Sequence, residues 1–250
     1  MQKKIEKMQD FLQKESKKRG FENAVFGLSG GIDSAVVGKL CLKAFKGRVM
    51  AFIMPSQNSN PRNTQDAINF ARSINLEYEV IDISHILQSF IETLKLYTNP
   101  NLHNIGNIIA RIRMTMLYHK SIEQNALVIG CNNKSEIMLG YGTLFGDLAY
   151  AINPIGDLFK TEIFNIAKKL DIPSYIVHKK PSADLYMGQS DEGDLGYSYN
   201  DIDKILRQIQ KGATAKLLVD SGFNEKFVVS ICKRIKKNSF KSELPKVPKI

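Results

Sequence analysis

Apolar positions along the chain follow a helical rhythm in some stretches and form short continuous runs in others. Ile5, Met8, Phe11 and Leu12 share one face of a helix over residues 1–19, with lysines opposite and Gly20 as its stop. Residues 24–28 form an apolar run that reads as a strand, and Ala35-Val36-Val37-Gly38-Lys39-Leu40 reads as the helix after it. Residues 49–54 predict a buried strand ended by Pro55. The polar stretch Ser56-Gln57-Asn58-Ser59-Asn60 follows, and Pro61 opens a helix to about Ile74. Residues 78–83 give a third strand, with Ser84 as N-cap of a helix carrying Ile86, Leu87, Phe90, Ile91 and Leu94. Asn99-Pro100-Asn101 breaks the chain before a long helix over residues 104–124, whose wide apolar stripe is interrupted by Arg111 and Arg113. That helix serves either its own core or a partner subunit. A strand over 126–130 comes next, then a helix capped by Asp157 or Thr161 and ending near Leu170, and helices over 199–210, 213–221 and 225–238.

This alternation of strand and helix predicts an α/β fold: a doubly wound, mostly parallel sheet flanked by helices, with ligands at the carboxyl ends of the strands and a C-terminal helical extension. The 250 residues, 43% of them hydrophobic, suffice for one substantial domain. Its expected divisions are a core over residues 20–180, a glycine-rich mobile lid over 181–198 and a helical tail over 199–250. No apolar run approaches a membrane span and the first twenty residues are charged, so the expectation is a cytoplasmic protein with no membrane partner. Cys41, Cys131 and Cys232 lie far apart, without C-x-x-C spacing, which suggests neither a zinc site nor a disulfide framework. The net charge of +10 concentrates on the first and last helices without interleaved aromatics. Solvated helix faces explain it, and no nucleic-acid partner is expected.

The chemistry centres on Gly27, Leu28, Ser29, Gly30, Gly31, Ile32, Asp33 and Ser34, where a strand turns tightly into a helix. Glycines allow close backbone approach to an anion, and the unpaired amides of a helix's first turn supply donors for phosphate. A Walker loop would need a lysine before the Ser/Thr, where Asp33 stands, and the dinucleotide fingerprint is missing as well. The string Ser-Gly-Gly-Ile-Asp-Ser resembles the modified phosphate loop of ATP pyrophosphatases. Glu136, just beyond the strand at 126–130, falls in the same zone as Asp33, so the pair makes a candidate two-carboxylate magnesium site. Residues 140–147 read as an ordered loop, and Lys160 near a helix start runs against the dipole, which argues for an anionic ligand.

With these pieces assembled, the chain resembles the ammonia-dependent NAD synthetases from Gly27 to the end of the tail. The carriers are Ser29-Gly30-Gly31-Ile32-Asp33-Ser34, Gly106-Asn107-Ile108-Ile109-Ala110-Arg111-Ile112-Arg113-Met114, Glu136, Gly146-Asp147, Lys160, Pro181-Ser182-Ala183-Asp184-Leu185 and Gly188-Gln189-Ser190-Asp191-Glu192. The loop alone also fits other amidating or tRNA-modifying ATP pyrophosphatases, or a protein that senses ATP without chemistry. The Ala-Arg-x-Arg-Met string and the Gln-Ser-Asp-Glu stretch favour NAD synthetase.

The resemblance implies that residues 27–34, Cys131, Lys160 and Ser182 meet ATP, and that Asp33 and Glu136 hold magnesium. It also implies that Arg111 and Lys241 contact deamido-NAD, that Asp147 lies beside the reacting centre, and that the protein is a homodimer using free ammonia. Lys160 and Asp147 are its candidate catalytic residues. Four positions depart from the family pattern: Cys131 replaces a threonine, Leu144 and Ala151 stand where a lysine and an aspartate contacting deamido-NAD are expected, and Phe240 precedes Lys241 where a His-Lys pair is usual.

Overall fold

In the computed structural model, which describes residues 1–96, 101–186 and 188–249, the strands are short, and all but the edge strand at Glu77–Val80 are largely buried. The chain runs through α1 (Gln2–Lys18), β1 (Asn23–Gly27), α2 (Ile32–Ala44), β2 (Val49–Ile53), α3 (Pro61–Ser73), β3 (Glu77–Val80), α4 (Ser84–Thr93), α5 (Leu102–Glu123) and β4 (Ala126–Val128). It continues through α6 (Lys134–Leu139), α7 (Lys160–Lys169), α8 (Ser174–Val177), α9 (Asp191–Leu195), α10 (Tyr199–Gln210), α11 (Ala215–Asp220) and α12 (Glu225–Asn238).

Every strand pairing is parallel and the sheet order is β3-β2-β1-β4. Period-two alternation divides the strand side chains between the two faces. Ala24, Phe26, Val49, Ala51, Ile53, Leu127 and Ile129 join one core with residues of α1, α2, α3 and α7. Val25, Phe52, Ala126 and Val128 join another with α4 and α5. A third apolar cluster unites the helices from α10 to α12 with Leu139 at the end of α6 and Phe159 just before α7. The doubly wound parallel architecture is the expected one.

The differences lie at element ends. Phe11 is 39% exposed, so the buried stripe of α1 is narrower than its periodicity predicts. The third strand stops at Val80, although the amides of Ile81 and Ile83 still donate to the carbonyls of Ile53 and Pro55. Ser84 does not cap α4: it is the helix's first residue, and Asp82 Oδ1 accepts its amide at 2.8 Å. The strand at 126–130 is cut to β4 by a lone bridge from Ile129 to Ile152. Neither Asp157 nor Thr161 caps α7. Asp157 pairs with Lys134, and the Thr161 amide donates to Asp203. The predicted break at Asn99-Pro100 lies outside the described residues. Within the predicted lid, residues 191–195 form α9 and Asp191 is buried. Residues Ile105, Ile109 and Ile112 of α5 are buried in the chain's own core, while Tyr118 and Ile122 remain exposed. The stripe serves its own monomer and leaves apolar surface over.

The strand order reverses around β1, so β1 and β4 open a crevice at their carboxyl ends, and both following loops enter it. The loop after β1 presses against α3: Gly30 adopts φ +76°, and a Cβ there would stand 2.3 Å from the Asn63 carbonyl oxygen. We expect Gly30→Ala to cost about 2–3 kcal/mol and to lower the melting temperature by roughly 5–10 °C. A melting curve superimposable on the parent's would show that the loop yields at this contact.

Candidate functional site

Two hydroxyls shape the loop between β1 and α2. Ser34 Oγ donates to the Gly31 carbonyl at 3.1 Å and accepts the Ser29 amide at 3.2 Å, while Ser29 Oγ accepts the Gly31 amide at 3.2 Å. Among the described residues, no acceptor meets the amides of Gly30, Ile32 and Asp33. These three donors stand at the positive end of a 13-residue helix, an arrangement suited to phosphate. Behind the loop, Lys179 Nζ donates to the Gly30 carbonyl at 2.9 Å and to Asn63 Oδ1 at 3.0 Å, and pairs with Asp66 at 2.5 Å.

Beside the loop, charge is concentrated and dry. Lys160, the first residue of α7, is 2% exposed, with Nζ 2.5 Å from Asp33 Oδ2 and 3.5 Å from Glu136 Oε1. Asn133 binds the carboxylates together: its Nδ2 donates to Asp33 Oδ1 at 3.0 Å and its amide to Glu136 Oε2 at 3.2 Å. Its Oδ1 accepts the Glu136 amide, closing a capping box on α6. Burial opposes the Lys160 charge, but Asp33, Glu136 and Asp191 outweigh it and hold the ammonium above its ordinary range. Burial also pushes the Glu136 carboxyl well up; Lys160 opposes this, and the negative charges of Asp33 and Asp191 add to it. Two carboxylates therefore share one ammonium, with Asp191 adding further negative charge, and the cluster is short of positive charge. The dipole argument made from sequence for Lys160 is thereby revised, since two carboxylates of this chain already compensate its position.

The crevice opens into a cavity of about 880 Å³. All residues from Gly27 to Ser34 except Gly30 line it, as do Cys131, Glu136, Asp147, Lys160, Ser182 and Lys241. Asp147 accepts the Thr143 amide at 2.7 Å and Asn132 Nδ2 at 3.0 Å, which fixes both its oxygens. Lys241 reaches back from the tail to donate to the carbonyls of Gly140 and Gly142 at 2.8 and 2.9 Å. Burial raises the Cys131 thiol, so it is held neutral and is a poor nucleophile. Arg111 does not join these residues. It is exposed on the outer side of α5, and its guanidinium donates to the Leu144 carbonyl at 3.3 and 3.4 Å. Arg113 faces the cavity instead and donates to the Met54 carbonyl at 3.0 Å and to Ser59 Oγ at 3.2 Å.

The segment after Ser182 closes over the cavity through a polar web. Asp194 accepts from Tyr186, Tyr141 and Gln189 at 2.6, 2.8 and 2.9 Å, and Asp191 accepts from Tyr141 and Tyr199 at 3.2 Å. Sequence reasoning passed over Asn133, Lys179, Tyr199 and Asp203 as site residues. Asn133 was findable as the N-cap three residues before Glu136, and Asp203 as an acidic residue on the apolar face of its helix. Nothing local singles out Lys179.

Comparisons with known proteins identify the family. The family model described as NAD synthase matches residues 4–245. The NH(3)-dependent NAD(+) synthetase of Helicobacter pylori strain ATCC 700392 / 26695 is 49% identical over 253 residues, covering 99% of this chain and 96% of that protein. The chain belongs to the NAD synthase family. Two solved structures extend the match: the NH3-dependent NAD synthetase from Campylobacter jejuni (TM-score 0.83, 40% identity, 99% of this chain and 98% of that one) and the NMN synthetase from Francisella tularensis (TM-score 0.89, 33% identity, 100% and 98%). As an NAD synthase it is an ATP-using ligase of NAD biosynthesis.

Among the described residues of this NAD synthase, no three His, Cys, Asp or Glu side chains form a metal-binding group. Asp33 and Glu136 still fit magnesium. That ion takes one or two carboxylates together with substrate phosphates in preference to an all-protein cage, and this cluster lacks positive charge.

The excess negative charge has a cost in stability. The Glu136 carboxyl holds its proton to higher pH in the folded chain than in the unfolded one, where it ionises near 4.5. Its contribution is therefore complete below that pH and is lost as the pH rises above it. Glu136→Gln keeps the shape and removes the charge. The variant should melt roughly 2–4 °C above the parent at pH 8, the gap closing as the pH falls to 4.5. Equal melting temperatures across that range would show Glu136 to be compensated in the free protein.

Proposed function

We propose that this protein amidates deamido-NAD with free ammonia, consuming ATP and releasing AMP and pyrophosphate through an NAD-adenylate. What carries the reading is the Asp33–Lys160–Glu136 cluster beside three unpaired amides at the end of β1. Those amides suit the β- and γ-phosphates, and the Lys160 ammonium, which lines the same cavity, suits the α-phosphate. The nicotinate carboxylate attacks the α-phosphorus and pyrophosphate leaves. Ammonia then attacks the acyl carbon, AMP departs and one proton is released. Asp33 and Glu136 would hold magnesium, which would supply positive charge to offset that of the phosphates. Lys160 supplies further positive charge as pyrophosphate separates, and electrostatics aimed at the departing group is the dominant effect. Asp147, its oxygens held by Thr143 and Asn132, orients ammonium or accepts its proton. Ser182 and Cys131 complete the ATP pocket. The segment 181–198 acts as the lid that keeps water from the adenylate. The neutral Cys131 thiol supports ammonia over a glutamine-derived nitrogen.

Arg111 lies outside the cavity, so its part in binding deamido-NAD requires a substrate that reaches beyond it. A homodimer along α4 and α5 supplies that reach. Phe90, Leu94, Tyr118 and Ile122 are exposed there, and such apolar surface marks an interface. Cytoplasmic ATP and reduced thiols at Cys41, Cys131 and Cys232 suit the reaction.

The deciding assay follows AMP and NAD with ammonia and then with glutamine. We expect turnover with ammonia alone, and release of ADP and inorganic phosphate would overturn the mechanism. Nicotinate mononucleotide is offered beside deamido-NAD, because a close structural neighbour is an NMN synthetase; use of the mononucleotide alone would reassign the acceptor. Asp33→Asn should reduce kcat about 100-fold or more while preserving the fold, and unchanged turnover removes Asp33 from the chemistry. Arg111→Ala should raise KM for deamido-NAD about tenfold, equivalent to about 1.4 kcal/mol, and leave KM for ATP within about twofold. Equal losses for both substrates would place Arg111 elsewhere.

A further inference from the structure

Asp203 lies in the first turns of α10, on the helix face that packs into the apolar cluster of the C-terminal extension, and it is 1% exposed. A carboxylate among Tyr199, Ile202, Ile205 and Leu206 is costly unless its lone pairs are taken. Both of its oxygens are. Oδ1 accepts from Ser135 Oγ at 2.5 Å, and Oδ2 accepts the Thr161 amide at 2.9 Å and Thr161 Oγ1 at 2.8 Å.

These partners are the immediate neighbours of the reacting charges. Ser135 precedes Glu136 on α6, and Thr161 follows Lys160 on α7. Ser135 Oγ also accepts the Lys160 amide at 2.9 Å, so one carboxylate ties the starts of both helices to each other. A negative group at a helix start with charge-assisted bonds to the first turn is a strong capping arrangement. One turn earlier on the same face of α10, the Tyr199 ring lies 5.3 Å from Lys160 Nζ. The spacing that seats the lysine between Asp33 and Glu136 is thus fixed from outside the sheet.

We propose that Asp203 is a positioning residue for Lys160 and Glu136, through which the C-terminal extension completes the catalytic centre. This rests on the role given to Lys160 above. A displacement of about 1 Å in a group that meets the transition state is enough to lose a large factor in rate. Asp203 touches neither substrate nor metal, so its loss falls on kcat more than on the binding of ATP.

The test uses the full chain, with the parent assayed first; a parent that makes no AMP from ATP, deamido-NAD and ammonia overturns the functional reading and this inference with it. In an active enzyme, Asp203→Asn puts an amide nitrogen where donors from Ser135 or Thr161 must be met. Assayed well below its melting temperature, it should lose about tenfold or more in kcat with KM for ATP within about threefold. A lowered melting temperature with parental kcat would make Asp203 a structural cap only, and overturn the proposal. Should Asp203→Asn fail to fold, Ser135→Ala keeps both Thr161 bonds and should show about a threefold loss of kcat with KM for ATP within about threefold; a parental kcat there overturns the proposal as well.

Discussion

Everything at this site depends on one buried ammonium held among carboxylates from different elements. Lys160 comes from α7, Asp33 from α2 and Glu136 from α6, and each sits in the first turn of its helix. Three helix N-termini therefore converge on one point. Their dipoles favour the carboxylates and disfavour the lysine, by about 0.3–1 kcal/mol each. Removing such charges from water costs several kcal/mol per ion, so the buried ammonium needs carboxylate beside it. Even together they leave an excess of negative charge when all are ionised, and burial together with Asp33 and Asp191 answers it by holding the proton on Glu136 to higher pH. The free chain is thus not at its own electrostatic optimum. Cationic magnesium is what would balance it, and the amides of Gly30, Ile32 and Asp33, unmet among the described residues, are donors of the kind that suit phosphate oxygens.

The sheet explains how such distant residues meet. In a parallel sheet all strands end on the same side, and a reversal of strand order leaves the loops after two neighbouring strands free to diverge. Here those strands are β1 and β4, paired from Asn23 with Ala126 to Val25 with Val128. A one-residue slip would exchange the faces of the core, sending Val25 toward α2 and Phe26 toward α5, so burial on both faces locks the register. With the register fixed, Asp33 and Asn133 lie within hydrogen-bonding distance although 100 positions separate them.

Much of this was legible in the sequence. The strand, glycine turn and helix around Gly27 gave the loop, and the order of elements gave the parallel sheet. Glu136 followed because a residue just past a strand's end must enter the crevice. What escaped was set by long-range packing. The Lys179 contact with Gly30 joins segments 149 residues apart. The cap of α7 is Asp203, 42 residues from the amide it accepts, and local rules pointed to Asp157 or Thr161. Strand ends were misjudged because Ile81, Ile83 and Ile129 remain apolar and hydrogen-bonded after the ladder has ended. Arg111 and Arg113 look equivalent in the sequence. They are two positions apart on a helix, which turns them about 200° from one another, so one faces the cavity and the other solvent.

That division bears on the positions that depart from the family pattern. The half of the site proposed for phosphate is built of backbone amides and buried charge, whose geometry tolerates little substitution, and its one change is Cys131. A neutral thiol is close in size to a threonine side chain but is a weak hydrogen-bond partner, so it alters a wall of the pocket and leaves the loop as it is. The other departures lie elsewhere: Leu144 and Ala151 do not line the cavity, and Phe240 is exposed. Leu144 acts on Arg111 through its carbonyl, which any residue would supply, so replacing a lysine there removes a charge without releasing the arginine. Phe240 likewise leaves Lys241 bonded to the loop carbonyls of Gly140 and Gly142. Under the proposed reaction, recognition of the acceptor nucleotide is therefore the part that this sequence is free to vary. The activation of ATP proposed for the charge cluster is held to one geometry by ion pairs of Lys160 with Asp33 and Glu136.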